Sequence, residues 1–346
     1  MPAATRRMSA TLAGWLRKMA GKTHLTSVAE RWNRGGLLVV CYHGVAGPGD
    51  PNDWMLVPVR MFERQIEYLA DRFRIAPLDE VLEQLALGQL SEPTACITFD
   101  DGYANNLTHA APILRRYSAP ATIYLVSDLV GSDKLMWTTE IEYAILDSDP
   151  EVLAKVDPAI DHLLGLSPRD SRLTARRVKQ HLKTVDNAER IRLCERVLAK
   201  VGGSRRDLTA FRFLTWDEVE SLDAEGLFWF GGHTRSHPIL PRASNAVVAD
   251  EIVGCVTRLS ALWHQSTTFA YPNGSFDDRV VRVLRDLNVK GGVTTVPGRY
   301  RSGTDPFRIP RILVGGNDDF EAFVTAVSGL DVILRRRSYR WGAERS

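Results

Sequence analysis

The sequence has little cysteine, and it contains no long apolar run, internal repeat or low-complexity tract. Its scattered cysteines, none spaced as CxxC, are Cys41, Cys96, Cys194 and Cys255. This pattern excludes a disulfide framework and a zinc ribbon, and it favours a reducing compartment. No stretch reaches the roughly 18 apolar residues that a membrane-spanning helix needs. The 44% hydrophobic and 25% charged content is that of an ordinary globular protein, with 346 residues for one large domain or two smaller ones.

A large net charge of either sign is also absent, because the formal value is only +2. That value conceals a strong asymmetry along the chain. Residues 1–34 carry about +6, residues 169–206 about +8 and residues 331–346 about +3 by count, so the remainder is acidic. Basic charge in both ends and in one middle segment indicates that these segments face an anionic surface.

The first 34 residues lack the long apolar stretch of a secretory signal, because a glycine and two cations interrupt positions 8–20. Five apolar residues there share one face of a predicted helix: Met8, Leu12, Trp15, Leu16 and Met19. Two interpretations stay open, an interfacial helix on an anionic membrane and a helix that packs on the domain or frays. We expect a cytoplasmic protein, with peripheral contact at the inner face of the membrane under the first interpretation.

Short apolar runs alternate with helical patterns along most of the chain. The predicted strands are 37–42, 95–99, 121–126, 227–230, 268–271, 289–294 and 308–314. The predicted helices are 58–73, 78–88, 104–117, 216–224, 246–263, 277–287 and 319–330. Repeated strand–helix units indicate a parallel sheet, and about seven of them favour a barrel over an open sheet.

The region from about 137 to 210 interrupts this alternation. Its pattern is helical and increasingly basic, with no clear strand. We interpret it as a helical insertion in a domain that spans residues 35–330, between a basic amphipathic segment at 1–34 and a basic tail at 331–346.

Two adjacent carboxylates, Asp100 and Asp101, follow the predicted strand 95–99 and precede Gly102 and Tyr103. Successive side chains of a strand point in opposite directions, so two aspartates at a strand end can do two different jobs. The glycine allows the backbone to turn sharply. A lone Asp pair is usually a solvated turn or a helix start.

His233 and His237 follow another predicted strand, and the glycines 231 and 232 and Pro238 flank them. These neighbours favour a turn after the strand over a helix, and the glycines permit tight backbone near an ion. An HxxxH spacing alone is a weak signal, since surface or internally bonded histidines are common. In a parallel barrel the carboxyl ends of the strands meet on one face, where active sites form. One carboxylate and two imidazoles there would suit a catalytic zinc site with a spare carboxylate beside it.

Several motifs together carry a resemblance to a known family. They are ITFDDGY at 97–103, APIL at 111–114, ATIYLV at 121–126, LTWDEVESL at 214–222, GGHTRSHPIL at 231–240 and FAYPNG at 269–274. The sequence resembles the polysaccharide deacetylase family, also called the NodB-homology domain, over about residues 37–315 outside the insertion. The resemblance implies a distorted (β/α) barrel with fewer than eight full units and a divalent metal, most commonly Zn²⁺.

The resemblance also implies the roles of individual residues. Asp101, His233 and His237 correspond to the metal ligands, and Asp100 corresponds to the general base. Asp100 would accept a proton from water as that water attacks an acetamide carbonyl. The metal and backbone N–H groups near Tyr271 would stabilise the developing oxyanion.

The sequence departs from the family pattern at two positions. Many members protonate the leaving amine with a C-terminal histidine, but no histidine follows His264 here. His43, after the first predicted strand, resembles an element of exopolysaccharide-processing members and is the candidate general acid; simple packing at a strand end is the alternative. Ala270 stands where many members have an arginine that orients the base. Arg311 could replace that arginine or could lie on the surface.

These residues predict a hydrolase that removes N-acetyl or O-acetyl groups from a glycan. An exopolysaccharide, cell-surface or lipid-linked GlcNAc-type sugar is the expected substrate. The alternative is a non-catalytic glycan-binding or scaffolding protein that keeps the barrel. Nucleic-acid binding is not expected, because the cations of 169–206 have no interleaved aromatic residues and fit a solvated helical face.

Overall fold

The computed structural model describes residues 36–153, 156–164 and 170–329. The predicted amphipathic segment 1–34 and the tail 331–346 lie outside these residues, so the predicted membrane contact does as well. No helix in the part of the chain that the structure describes combines the length and the apolar character needed to cross a membrane.

A curled parallel sheet forms the centre of the molecule. The strands of the described ranges are β1 (Leu38–Tyr42), β2 (Gly44–Ala46), β3 (Leu56–Pro58), β4 (Arg74–Ile75), β5 (Thr94–Phe99), β6 (Ala121–Leu125), β7 (Phe228–Gly232), β8 (Gln265–Ala270), β9 (Gly291–Val293) and β10 (Ile312–Leu313). The order across the main sheet is β10-β1-β5-β6-β7-β8-β9, with β4 paired to the start of β5. A parallel bridge joins Val293 to Ile309, just before β10. The sheet therefore curls into a distorted barrel with seven strands on its path, which confirms the predicted fold class.

Helices cover the outside of the sheet and form the insertion. Within the described ranges they are α1 (Val59–Ala70), α2 (Leu78–Ala86), α3 (Ala111–Arg116), α4 (Trp137–Leu146), α5 (Pro150–Leu153), α6 (Asp161–Leu164), α7 (Ser171–Leu182), α8 (Asn187–Val201), α9 (Trp216–Asp223), α10 (Asn245–Leu259), α11 (Asp278–Asp286) and α12 (Phe320–Ser328). In α1, Phe62, Ile66 and Leu69 recur at helical spacing and are fully buried against the sheet. Helical periodicity thus located the helices well.

Local sequence signals set several helix ends. Thr215 and Glu218 form a reciprocal capping box at the start of α9. The Asp186 carboxylate accepts the Glu189 N–H at the start of α8, and Gly202 ends that helix in the left-handed region at φ 79°.

The helices α4 to α8 of the predicted insertion share a hydrophobic core of their own. Ile141 of α4, Val178 of α7 and Leu193 of α8 are fully buried in it. The same core includes Tyr103 and Phe213, whose rings stack at a centroid distance of 5.2 Å. Because Tyr103 lies two residues after Asp101, the insertion packs directly on the loop that follows β5.

Several local features differ from the sequence prediction. The short strands β2 and β3 form a separate two-stranded sheet and β4 pairs with β5, and none of the three was predicted. The strand predicted over 308–314 is limited to β10, after a 3-10 turn at Pro306–Arg308. The helix predicted over 104–117 begins with a π-helical stretch, Asn106–Ala110, and continues as α3. Short strands of three residues give too few positions for a period of two to be visible.

Candidate active site

The register of the sheet brings the predicted residues to one edge. Tyr42 at the end of β1 pairs with Phe99 at the end of β5, so His43 and Asp100 follow neighbouring strand ends. Leu125 pairs with Gly232, so the loop with His233 emerges from the same edge. The carboxyl ends of the barrel strands thus form the site, as expected for this architecture.

Asp101, His233 and His237 meet in a buried cluster. The Asp101 Oδ1 atom lies 3.5 Å from the His233 Nε2 atom and 3.7 Å from the His237 Nε2 atom. One ligand atom from each residue can be chosen so that all three lie within 4.8 Å of one another. Each of these side chains is less than a tenth exposed.

These distances fit a divalent cation between the three side chains. They exceed the 2.7–3.2 Å of ordinary N–H···O hydrogen bonds. Two ligand atoms, each about 2.0–2.2 Å from a tetrahedral zinc ion, are about 3.3–3.6 Å apart. The His233 Nδ1 atom lies 2.7 Å from the Ala270 carbonyl oxygen, so it is protonated as donor and Nε2 is left free as a ligand. The donor set of one carboxylate and two imidazoles is that of a catalytic zinc site.

The backbone is strained where it carries two of these side chains. Asp101 has φ 74° and His237 has φ 59°, in the left-handed region that non-glycine residues rarely adopt. Thr234, between the two histidines, has φ 68°. Its hydroxyl accepts the His237 N–H at 2.9 Å, which holds the turn. Positive φ values of this kind cluster at functional sites, where surrounding structure enforces them.

Glu251 on α10 supports the turn from outside. Its buried carboxylate accepts the backbone N–H groups of Arg235 and Ser236, each at 2.8 Å, and the Ser236 hydroxyl also bonds to it. The residue therefore fixes the segment between His233 and His237. No local motif in the sequence links α10 to this turn, so the sequence alone does not reveal Glu251.

Asp100 forms a bidentate ion pair with Arg311. Two guanidinium nitrogens donate to its two carboxylate oxygens at 2.7 and 2.6 Å. Arg311 is fully buried, and it also donates to the Thr294 carbonyl at 2.9 Å. The alternative of a surface Arg311 is therefore wrong, and the structure places this residue beside Asp100. An aligned, two-point pair of this type fixes the orientation of the carboxylate.

The two aspartates have different electrostatic environments. Burial opposes ionisation of Asp100, but the Arg311 guanidinium and His233 outweigh it and hold the pKa of that carboxyl well below its usual range. Burial also opposes ionisation of Asp101, but the neighbouring His233 and the charges of His43 and His237 keep its pKa lowered. Asp100 is thus an ionised carboxylate paired within the protein, and Asp101 is an ionised carboxylate that faces imidazoles.

His43 lines the same cleft. Its carbonyl accepts the Asn106 Nδ2–H at 2.9 Å, and its ring meets Trp54 edge-on at a centroid distance of 5.3 Å. The Nδ1 atom is buried and has no hydrogen-bond partner within the described residues. The structure therefore brings His43 together with Asp100 and Asp101, and its role as an acid stays a prediction.

Tyr271 and the glycines before His233 have structural contacts that the sequence analysis did not foresee. The Tyr271 hydroxyl donates to the Phe307 carbonyl at 3.1 Å, and its N–H donates to the Val293 carbonyl at 3.3 Å. Its suggested oxyanion role therefore gains no support from these hydrogen bonds and stays a prediction. A Cβ at Gly231 would lie 2.5 Å from the Tyr124 ring, so that glycine serves strand packing rather than an approach to an ion.

The predicted insertion forms one wall of a cleft of about 240 Å³ above the Asp and His residues. Lining residues that the sequence analysis did not single out include Trp54, Thr138, Glu142, Lys179, Lys183 and Asn273. Four of these belong to α4, α7 and the residue after α7. The basic segment that was interpreted as a solvated face thus contributes two lysines to the cleft.

A larger hollow of about 380 Å³ opens elsewhere, near the start of α2 and β8. Its charged residues form hydrogen bonds or ion pairs within the protein. Asp79 accepts hydrogen bonds from Ser266 and Thr267, and Lys290 pairs with Glu83. It contains none of the candidate catalytic residues, so the chemistry belongs to the smaller cleft.

Comparison with known proteins agrees with the motifs. The family model described as polysaccharide deacetylase matches residues 88–292, which is more than half of the chain. This range includes the Asp pair and both histidines.

Two curated relatives match at different extents. YxkH of Bacillus subtilis (strain 168), whose name assigns it provisionally to the polysaccharide deacetylases, is 30% identical over 97 residues. That match covers 28% of this chain and 33% of YxkH, so the chain aligns with only a third of that protein's length. The poly-beta-1,6-N-acetyl-D-glucosamine N-deacetylase of Staphylococcus epidermidis is 20% identical over 323 residues, which is 87% of this chain and 86% of that protein.

Solved structures show the same fold at low identity. The Streptococcus pyogenes deacetylase PplD superposes with a TM-score of 0.55 and 18% identity, over 85% of this chain and 99% of that chain. IcaB from Ammonifex degensii superposes with a TM-score of 0.55 and 19% identity, over 85% of this chain and 97% of that chain. With the motif residues gathered at one strand edge and the family model spanning them, the chain belongs to the polysaccharide deacetylase family, a family of hydrolases.

Proposed function

We propose that this protein removes N-acetyl groups from a bacterial exopolysaccharide built with GlcNAc-type sugars. One observation carries the proposal: the Asp101, His233 and His237 cluster lines the same cleft as Asp100, whose carboxylate is paired with the buried Arg311. A cation-binding cluster and a separate ionised carboxylate are the two parts that hydrolysis of an amide requires. The Staphylococcus epidermidis relative, which aligns over most of both chains, supports N-deacetylation of a GlcNAc polymer.

The three-residue cluster would hold a divalent ion, with zinc as the first choice for one carboxylate and two imidazoles. Such an ion, when bound, lowers the pKa of a coordinated water from about 15.7 towards about 7. Burial and the neighbouring His233 lower the pKa of His237 to about 3, which keeps this imidazole neutral and able to coordinate.

Two residues of the protein would carry the two proton transfers, Asp100 as the acceptor and His43 as the donor. Asp100 is ionised and oriented by Arg311, so it can accept the proton of the attacking water. The water oxygen forms a bond to the acetamide carbonyl carbon, the C–N bond breaks, and His43 donates a proton to the leaving amine. Acetate and the free amine of a glucosamine unit are the products. Deep burial of Asp100 and Arg311 excludes bulk water from the pair and keeps the carboxylate fixed.

The alternative of a non-catalytic glycan-binding barrel explains less of the site. A binding surface for neutral sugars needs no buried cluster of one carboxylate and two imidazoles. It also needs no aspartate with its backbone held in the left-handed region, as that of Asp101 is. Nor does it need a buried Asp–Arg pair beside that cluster. The cluster and the pair both have a direct use in hydrolysis.

Acetate release from β-1,6-linked N-acetylglucosamine oligomers tests the proposal. We expect the zinc-loaded protein to release acetate, a chelator to stop the release, and added zinc to restore it. His233→Ala is expected to lose both zinc and turnover. The matched control is His264→Ala, because His264 pairs with Asp223 outside the cleft. Acetate release that survives complete metal removal, or equal losses in both histidine variants, would contradict the proposal.

A further inference from the structure

The helix α7 presents a row of four cations on one face. Arg172, Arg176, Lys179 and Lys183 follow one another at spacings of four, three and four residues, which places them on the same side of a helix. Lys183 is the residue directly after the last turn. We call these residues the α7 cationic row.

One end of the row lies in the catalytic cleft. Lys179 and Lys183 both line it, alongside Asp101 and His237. Lys183 is close enough that its charge contributes to the lowered pKa of His237. The row therefore starts beside the cluster proposed to bind the metal and runs outward along α7 for about 16 Å, at 1.5 Å per residue.

Most of the positive charge of the row is not neutralised within the protein. Lys179 pairs with Glu142 of α4. For Arg172, Arg176 and Lys183, the described residues provide no carboxylate at ion-pair distance. The other acidic groups of the cleft have partners of their own. Asp100 pairs with Arg311, and Asp53 accepts hydrogen bonds from Tyr143 and the Met55 N–H. Asp101 faces His233 and His237 and lies beyond ion-pair distance of Lys183.

A purely structural role accounts for only part of this arrangement. A cation at the carboxyl end of a helix interacts favourably with the helix dipole, which explains Lys183 in isolation. It does not explain Arg172 and Arg176, since Arg172 lies in the first turn of the same helix, where a positive charge is unfavourable. Neutral GlcNAc polymers would not need any of the four charges.

We propose that the α7 cationic row binds the substrate strand, and that the substrate is an anionic glycan carrying carboxylate or phosphate groups near its acetamido sugars. This inference rests on the proposed function, because it names the class of glycan that the same site accepts. A row of about 16 Å spans several sugars of an extended strand, so repeated anionic groups would each meet one cation. Lys183 would hold the anionic group nearest to the reacting acetamide.

Binding measurements test the inference without turnover. By calorimetry at low salt, we expect the full-length zinc-loaded protein to bind an oligogalacturonate at least tenfold more tightly than a neutral oligoglucoside of the same length. Neither probe carries an acetamide. Lys183→Gln should weaken oligogalacturonate binding about tenfold, and Lys183→Arg should retain it. The matched control is Lys290→Gln, because Lys290 pairs with Glu83 at the other hollow and should leave binding unchanged.

Activity adds a second readout that separates this inference from the proposed function. The ratio of kcat/KM for a GlcNAc–glucuronate oligomer over a neutral GlcNAc oligomer should exceed ten and should fall towards one in Lys183→Gln. Equal binding of the two inert probes, or a ratio that the variant does not change, would overturn the inference while acetate release still upheld the proposed function. Tight polyanion binding without any acetate release would uphold the cationic row and contradict the proposed function.

Two further arms identify the source of the anionic group. A GlcNAc oligomer bearing phosphate, compared with the glucuronate oligomer, shows which anion the row prefers. Vesicles with anionic lipid form the last arm. If Lys183→Gln weakens vesicle binding and leaves glycan binding and kcat/KM unchanged, the row contacts a membrane and the inference is wrong.

Discussion

The two walls of the cleft differ in how firmly their side chains are held. The barrel wall carries Asp100, Asp101, His233 and His237, all buried and each fixed by hydrogen bonds, an ion pair or a constrained backbone. The insertion wall carries part-buried charged side chains, among them Lys183, which has no carboxylate at ion-pair distance within the described residues. Groups that transfer protons or hold a metal need fixed positions. Groups that bind a polymer can be long side chains that meet charged groups at several positions along it. Under the two proposals, the chemistry belongs to the barrel and substrate selection belongs to the insertion.

Replacing His43 is expected to change turnover more than the Arg311 and Glu251 variants described below. His43→Gln should lower kcat by about 10²- to 10⁴-fold, the usual contribution of a general acid, because the leaving amine would lose its proton donor. Zinc content should stay at the wild-type level, measured by elemental analysis beside acetate release. His109→Gln is the control, since His109 faces Asp50 instead. Turnover close to wild type would remove His43 from the mechanism.

The next effect concerns the fixed geometry of the barrel wall. Arg311→Met would leave the Asp100 carboxylate buried without its partner, which should cost about 3–5 kcal/mol in the free energy of unfolding. Chemical denaturation measures this loss. Arg308→Met is the control, because Arg308 pairs with Asp305 at the surface and should change stability by about 1 kcal/mol or less.

A double variant shows whether the charge itself is the cause. Adding Asp100→Asn to Arg311→Met removes the unpaired carboxylate, so we expect part of the lost stability to return without any return of activity. If Arg311→Met had the same free energy of unfolding as Arg308→Met, the Asp100–Arg311 ion pair would not stabilise the barrel wall.

The smallest expected effect is at the support of the histidine turn. Glu251→Gln keeps the shape but weakens two backbone N–H bonds, so zinc affinity should fall about 10- to 100-fold, as for other outer-sphere partners of metal ligands. Competition with a chelating dye measures it. Asp250→Asn is the matched neighbour, because Asp250 pairs with Arg235 at the surface. Equal zinc affinities in the two variants would show that the hydrogen bonds of Glu251 to the turn do not contribute to metal binding.

The barrel wall could be predicted from the sequence because its residues follow strand ends. Short apolar runs located the strands and helical patterns located the helices between them. A parallel barrel brings the carboxyl ends of its strands together, so Asp101 and His233 were expected to meet despite more than 130 intervening residues. The position of Arg311 was left open, because the sequence shows no reason for a buried arginine until the sheet register places it beside Asp100.

The supporting and recognition residues could not be predicted in this way. Glu251 reaches the histidine turn from a helix that follows it, through contacts that no periodicity reveals. Lys183 belongs to a basic helix whose pattern is also that of a solvated surface. The insertion packs with Tyr103 in one core, and Lys179 in that helix and Lys183 directly after it line the cleft.

Zinc content measured beside acetate release in Asp100→Asn and Asp101→Asn tests whether the two adjacent aspartates have different roles. We predict that Asp100→Asn binds one zinc ion per chain yet loses most turnover, because the proton acceptor is gone. We predict that Asp101→Asn loses both zinc and turnover, because a ligand is gone. Equal zinc loss in the two variants, or wild-type zinc content in Asp101→Asn, would show that Asp100 and Asp101 do not divide metal binding and proton transfer in this way.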